Sequence, residues 1–297
     1  MKFGVVLPIW RLTTGDAERM TLRAEELGWD GVFVPDHILA KPATAELYGP
    51  SWPDPFSLLA FLAGRTRRIQ VGASVIVLPY RNPLVTAKAA ATVDQVSNGR
   101  FICGIGVGWD EAEFRDLGLP FRERGAMTDE YLRIIKAAWG ADVPSFAGRY
   151  FTFSGATFAP RPVQTPHPPI WAGGAPGALS PPALRRAGEL CDAWHPIYLG
   201  WADLEKGMAT VRDIATRAGR PGGAVRFAPR NMLGLGGKAG GVGRAPFEGA
   251  PDEVVADVER ARALGCDWVT FDMPKTDVPG MLAVMERFTR EVRPAAT

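Results

Sequence analysis

Cysteine and histidine are scarce, with three of each in 297. Cys103, Cys191 and Cys266 lie far apart and form no CxxC pair. An odd count without paired spacing argues against a disulfide framework or a zinc knuckle, so all three read as buried, reduced thiols. The histidines are His37, His167 and His195. No HxH, HExxH or clustered carboxylate pattern accompanies them, which argues against a metal-dependent hydrolase, and no metal site is expected. No run approaches the roughly 20 apolar residues of a membrane span. The opening MKFGVVLPIW lacks the apolar core of a secretory signal, so a cytoplasmic location is expected. Charge is nearly balanced, 34 basic against 32 acidic residues, with no run of one sign. That gives no footprint for nucleic acid or an anionic membrane surface.

What the chain does have is apolar residues, 46% of the total, in short runs separated by helical patterns. Ile69–Leu78 and Phe101–Val107 are two apolar runs. Between them Leu84–Val96 carries an imperfect helical stripe, which makes a βαβ unit. The rhythm extends in both directions. Strands are expected at Phe3–Leu7, Gly31–Val34, Pro169–Ala172, Asp192–His195, Val225–Leu233 and Trp268–Asp272. Helices are expected at Asp16–Leu27, Phe56–Ala63, Thr128–Trp139, Pro182–Leu190, Leu204–Ala218, from Pro251, and at Val278–Val292. Ile38–Asp54 and the residues after Trp109 read as loops. Residues 235–249 read as a mobile glycine-rich loop. Alternation in SFAGRYFTFSGATFAP marks a β-hairpin-like insertion near 142–168. The sum is a single α/β domain over 1–297, a (β/α)8 TIM barrel.

In such a fold, loops at the C-terminal ends of the strands build the site. His37 follows Asp36 at the end of strand two, and His195 follows Trp194 at the end of strand six, so both face the active end. His167, in a proline-rich tether, reads as structural. Trp10 and Trp109 sit at strand ends, as pocket walls or as rim packing. Gly104-x-Gly106-x-Gly108 is not a dinucleotide fingerprint, because position 109 is Trp and no helix is expected to open there. Gly237-Lys238 precedes Ala239 and is no phosphate loop. Gly106 and Gly108 suit either a tight strand-to-loop turn or close approach to a flat ring. Gly173-Gly174-Ala175 ends a strand before a helix, a junction whose N–H groups suit a phosphate.

Three stretches together, VGASVIVLPYRNPL, GRFICGIGVGWDEAEF and FRERGAMTDEYL, resemble the luciferase-like monooxygenase superfamily, and within it the branch using the deazaflavin coenzyme F420. The similarity runs from Met1 to about Pro196, and more loosely beyond. The resemblance implies hydride transfer between a small organic substrate and F420. The alternatives are an FMN-dependent monooxygenase and a non-catalytic barrel. It implies that Ser74-Val75 forms a bulge with a non-proline cis peptide backing the ring, with Gly106, Val107 and Gly108 beside it. Gly173, Gly174 and Ala175 would meet the cofactor phosphate and Asp36 would touch the cofactor. His37 would transfer a proton, and Trp10, Trp109 and His195 would line the substrate pocket. A homodimer is also implied. The chain departs from the pattern in its proline-heavy Pro176–Pro182. It departs again at Trp109, where other members carry an acidic residue; Glu111 and Glu113 follow instead.

Overall fold

A computed structural model describes residues 1–221, 223–236 and 244–295. The central part of the expected glycine-rich loop, 237–243, lies outside the described residues. The barrel's first two strands are Lys2–Val6 and Gly31–Val34, and its fourth, fifth and sixth are Phe101–Gly106, Ile170–Gly173 and Ala193–His195. The last is Trp268–Asp272. The third and seventh are each broken in two: Gln70–Ala73 with Ile76–Val77, and Arg226–Phe227 with Arg230–Met232. All pair in parallel, in chain order, and the first strand also pairs with the last through Val5↔Phe271. The seventh completes the ring: Phe227 pairs with Trp194 of the sixth strand, and Arg230 with Thr270 of the last.

The break in the third strand falls at the Ser74-Val75 bulge that the resemblance implied, the break in the seventh departs from the continuous run expected, and each has a local cause. In the third strand the register against the fourth slips by one residue, from Gly72↔Ile102 to Ile76↔Ile105. That extra residue is a β-bulge, and its Ser74-Val75 peptide is cis. In the seventh strand Pro229 lies between the two halves, where it has no N–H to give to a ladder.

Ten helices are described: α1 Thr14–Glu26, α2 Pro42–Leu47, α3 Pro55–Arg65, α4 Pro83–Ser97, α5 Glu111–Asp116, α6 Arg124–Gly140, α7 Pro181–Leu190, α8 Trp201–Arg217, α9 Pro251–Ala263 and α10 Val278–Arg287. Their starts are written in the sequence. The side chains of Thr13, Asp54, Asn82 and Asp277 each accept from a backbone N–H of the first turn. Proline opens α3, α4, α7 and α9, where its missing N–H costs nothing. Two helices correct the loop readings. α2 lies inside the 38–54 segment, and α5 opens right after Trp109, capped by the Asp110 carboxylate. Six residues are too few to show a helical period. None of the described helices is long and apolar enough to cross a membrane.

The barrel lumen is packed solid. Phe33 stacks on Trp171 at 5.2 Å and meets Trp268 edge-on at 5.8 Å. Glycines on neighbouring strands make room: a Cβ on Gly4 would lie 2.5 Å from the Phe33 ring, and one on Gly72 2.8 Å from it. The three cysteines are buried, and burial pushes each thiol up to about 12. The insertion is an antiparallel pair, Phe146–Ala147 with Thr152–Phe153. The Glu130 carboxylate of α6 ties it down by accepting the N–H groups of Arg149, Tyr150 and Phe151 at 2.8 Å each.

Gly72→Ala should lower unfolding free energy by about 1–3 kcal/mol, because the Phe33 ring has nowhere to move. Gly64→Ala on α3, where a Cβ would meet nothing within 4 Å, should instead stabilise by up to about 1 kcal/mol. Urea unfolding of the two variants measures both.

Candidate active site

His37 follows the second strand directly, and the fold brings it against a residue 76 positions away. Its Nδ1 lies 2.7 Å from Oε2 of Glu113, which is fully buried on α5. The same oxygen accepts the Tyr80 hydroxyl at 2.7 Å, and Oε1 accepts the N–H groups of Ile38 and Leu39 at 2.6 and 2.9 Å. Burial alone would raise the Glu113 carboxyl. The bonds from His37, Leu39, Tyr80 and Ile38 outweigh it and hold the group below its ordinary value. Burial, then Glu113, pushes the Tyr80 phenol up, so it stays a donor. A carboxylate that accepts from Nδ1–H fixes the ring's orientation and leaves Nε2 for other chemistry. No bond to Nε2 is formed among the described residues.

Asp36 takes a different part from the direct cofactor contact expected. Its carboxylate is buried and wholly engaged: Oδ2 accepts from the Val77 N–H at 2.9 Å and from Arg81 Nη1 at 2.5 Å, and Oδ1 from Nη2 at 2.9 Å. Burial pushes this carboxyl up, but a fork-shaped contact with an always-charged guanidinium keeps the pair ionic. Asp36 therefore fixes the end of the third strand. Asp110, capping α5, accepts the Thr44 hydroxyl of α2 at 2.7 Å and so ties both short helices to the same corner.

The bulge at Ser74-Val75 leans over the fourth strand, and glycines receive it. A Cβ on Gly106 would lie 2.6 Å from Val75 Cγ2, and one on Gly173 3.1 Å from Cγ1. A Cβ on Gly104 would run into the Ala73 carbonyl. The close approach read from these glycines is real, but what approaches is Val75. Gly108, at φ +79°, makes room for Val77 and Phe114 instead. Val75 and Gly173 stay half-exposed, forming a floor without large side chains. Val107 is half-buried beside it.

His195 does not line a pocket, contrary to expectation. It is fully buried, and both ring nitrogens are used. Nδ1–H donates to the Ala228 carbonyl at 2.5 Å, so Nε2 accepts the Ser74 hydroxyl at 2.8 Å. Burial pushes its pKa down to about 4, which leaves a neutral ring. Arg230, which the sequence reading passed over, completes the layer. Its Nη1 donates to the Ser74 carbonyl and hydroxyl oxygens at 2.7 and 2.9 Å, and Nε and Nη2 grip Asp272 at 2.7 Å each. Tyr198 adds its hydroxyl to Asp272 at 2.6 Å. The signal that could have found this pair is a charged residue at the C-terminal half of two apolar strands.

Trp10 and Trp109 do stand at this end. Trp10 joins Tyr48 and Trp52, with ring centroids 5.0 and 5.2 Å away, while Trp52 and Trp109 flank the His37 ring at 4.7 and 5.7 Å. At the expected phosphate junction, Gly174 is half-buried and Ala175 exposed. The helix behind them, α7, has prolines at both of its first positions and no side-chain cap at Ser180. It offers fewer N–H groups to an anion than an ordinary helix start. Beside it, Arg186 of α7 donates to the Gly125 carbonyl at 3.0 Å. The preceding residue Arg124 opens α6 with a buried Nε that has no partner.

A family model described as luciferase-like monooxygenase matches residues 1–233. The chain belongs to that family. It is 38% identical over 165 residues to an F420-dependent glucose-6-phosphate dehydrogenase of Amycolatopsis mediterranei, covering 54% of this chain and 48% of the relative. It is 33% identical over 169 residues to an FMNH2-dependent dimethylsulfone monooxygenase of Pseudomonas putida, covering 56% and 44%. The chain thus spans about half the length of each. In structure it resembles the coenzyme F420-dependent tetrahydromethanopterin reductase of Methanopyrus kandleri, with a TM-score of 0.80 at 20% identity over 100% of this chain and 99% of that one. The luciferase-like family is one of monooxygenases and related oxidoreductases, and the relatives that match this chain include both an F420-dependent and an FMNH2-dependent enzyme.

His195 ties stability to pH with a definite sign. Its folded pKa near 4 is below the unfolded value, so its contribution is full above about pH 6.5 and is lost as pH falls toward 4. Between those limits the wild type should lose on the order of 3 kcal/mol that His195→Gln does not, measured by urea unfolding at several pH values. Arg230→Met should cost about 3–5 kcal/mol at pH 7, because it leaves Asp272 buried without its cation.

Proposed function

We propose that this chain is an oxidoreductase that moves a hydride between a small organic substrate and coenzyme F420. The observation that carries the reading is His37, oriented through Nδ1 by a buried carboxylate, with Nε2 unengaged at the same end of the barrel as a floor free of large side chains. Bound over Val75, Gly106 and Gly173, the deazaflavin would supply two-electron hydride chemistry. The floor fits such a group, because Gly106 and Gly173 have no Cβ to push Val75 up out of it. Gly173, Gly174 and Ala175 would approach the phosphate end.

The protein's own part is proton transfer and positioning. His37 would accept the hydroxyl proton at Nε2 when an alcohol is oxidised and return it when a carbonyl is reduced. Glu113 stabilises the charged ring while staying ionised. Tyr80 and the two N–H groups keep that carboxylate from rotating. Trp52 and Trp109 pack at steep angles against the ring and limit its movement.

A spectroscopic titration with F420, and separately with FMN, tests the cofactor. Tight uptake of F420 alone is expected; uptake of FMN alone would move the chain to the oxygenase reading, and uptake of neither would sink both. With F420 bound, His37→Ala should lower kcat by about 10²–10⁴-fold while changing F420 affinity little. Glu113→Gln should lower kcat by about 10–100-fold through loss of ring orientation. Unchanged turnover in His37→Ala would remove the proton-transfer role.

A further inference from the structure

Helix α5 has six residues, too few to hold its shape by backbone bonds alone. It nevertheless carries Glu113, the carboxylate that fixes the His37 ring. What starts the helix is Asp110. Its Oδ1 accepts the N–H of Ala112 at 3.0 Å and the N–H of Glu113 itself at 3.3 Å. Its other oxygen, Oδ2, accepts the Thr44 hydroxyl at 2.7 Å. Asp110, Glu113 and Thr44 are all buried.

Asp110, Glu113 and Asp116 recur at a spacing of three, so they fall on one side of α5. All three engage the segment that follows the second strand. Asp110 takes Thr44, Glu113 takes His37 with the N–H groups of Ile38 and Leu39, and Asp116 pairs with Lys41. The chain from His37 to Thr44 is therefore laid along α5, and its geometry depends on where that helix begins. A start displaced by one residue would turn Glu113 about 100° around the helix axis, away from the ring.

Resting on the proton-transfer role given to His37 above, we propose that Asp110 is a positioning residue for that step. By bonding to the N–H of Glu113 it fixes where α5 begins. That decides which Glu113 oxygen meets Nδ1 and which meets the Ile38 and Leu39 N–H groups. His37 is then held with its proton on Nδ1 and its lone pair on Nε2. The cap matters and the charge does not. Asn caps a helix as well as Asp, and its amide can donate to the Thr44 hydroxyl oxygen. Ala has no oxygen to cap with, and Glu is not among the residues that cap well.

The test reads the His37 tautomer in the full chain without cofactor. The chain has three histidines, so NMR with isotope-labelled histidine nitrogens follows each ring, and His37→Ala assigns the signals. In the neutral rings the wild type should carry Nδ1–H at both His37 and His195. His195, fixed by the Ala228 carbonyl, is the internal control for folding. Asp110→Ala should let His37 exchange between tautomers while His195 keeps its pattern. Asp110→Glu, which keeps the charge, should do the same, and it replaces Asp110→Ala if the His195 signal shows that variant unfolded. Asp110→Asn should restore the wild-type pattern at His37. With F420 bound, Asp110→Ala should lower kcat by about tenfold to a hundredfold at unchanged F420 affinity. It should cost nothing further in a Glu113→Gln chain, because the two residues act as one unit. A fixed Nδ1–H at His37 in folded Asp110→Ala or Asp110→Glu overturns the proposal, as does its loss in Asp110→Asn. Losses that multiply in the double variant also overturn it, as does full turnover in a chain whose His37 tautomer is no longer fixed. A chain that shows the expected tautomers but takes up no F420 supports the positioning role and removes only the cofactor reading.

Discussion

A single guanidinium holds the site end of this barrel together. Arg230 has donors in three directions, and all are engaged: Nε and Nη2 with the carboxylate of Asp272, Nη1 with the carbonyl and hydroxyl of Ser74. Three strands are thereby fixed to one another at the level where the third strand bulges. Ser74 in turn spends its hydroxyl proton on His195, which spends its own on the Ala228 carbonyl. Every polar group of the layer is satisfied, which is what allows it to sit at the top of a lumen otherwise filled by Phe33, Trp171 and Trp268. A half-satisfied network there would cost more than an apolar one.

On that base the two halves of the site are built differently. The floor is made by subtraction, since Gly104, Gly106 and Gly173 lack the atoms that would push the bulge away. The wall is made by addition, with Glu113 gathering His37, Tyr80 and two backbone N–H groups onto two oxygens. On the proposed reading, the floor would back a planar ring and the wall would present one oriented imidazole nitrogen to a second reactant.

Much of this was legible in the chain and some was not, for physical reasons. The strands and long helices were legible because burial imposes a period, and His37 and the glycines were marked by rarity and position. Glu113 was noticed only as an acid near a loop; its pairing with His37 depends on α5, too short to show a period. Asp36 was placed at the site end correctly, but its commitment to Arg81 follows from the third strand's fold-over. His195 was misjudged because sequence gives the end of a strand and not which side of it faces the lumen. Arg230 and Asp272 look like ordinary polar residues at strand ends until the ring closes.

The ring's closure has an implication for assembly. The first strand pairs with the last, and the seventh is shared between the sixth and the last. Asp272 is supplied by that last strand, 42 positions beyond the cation it neutralises. A chain growing from its N-terminus therefore presents Ser74 early, Arg230 late and Asp272 later still. Without the final strand the guanidinium would lack the carboxylate that neutralises it in the closed barrel. Closing the barrel and neutralising this buried cation thus become one event.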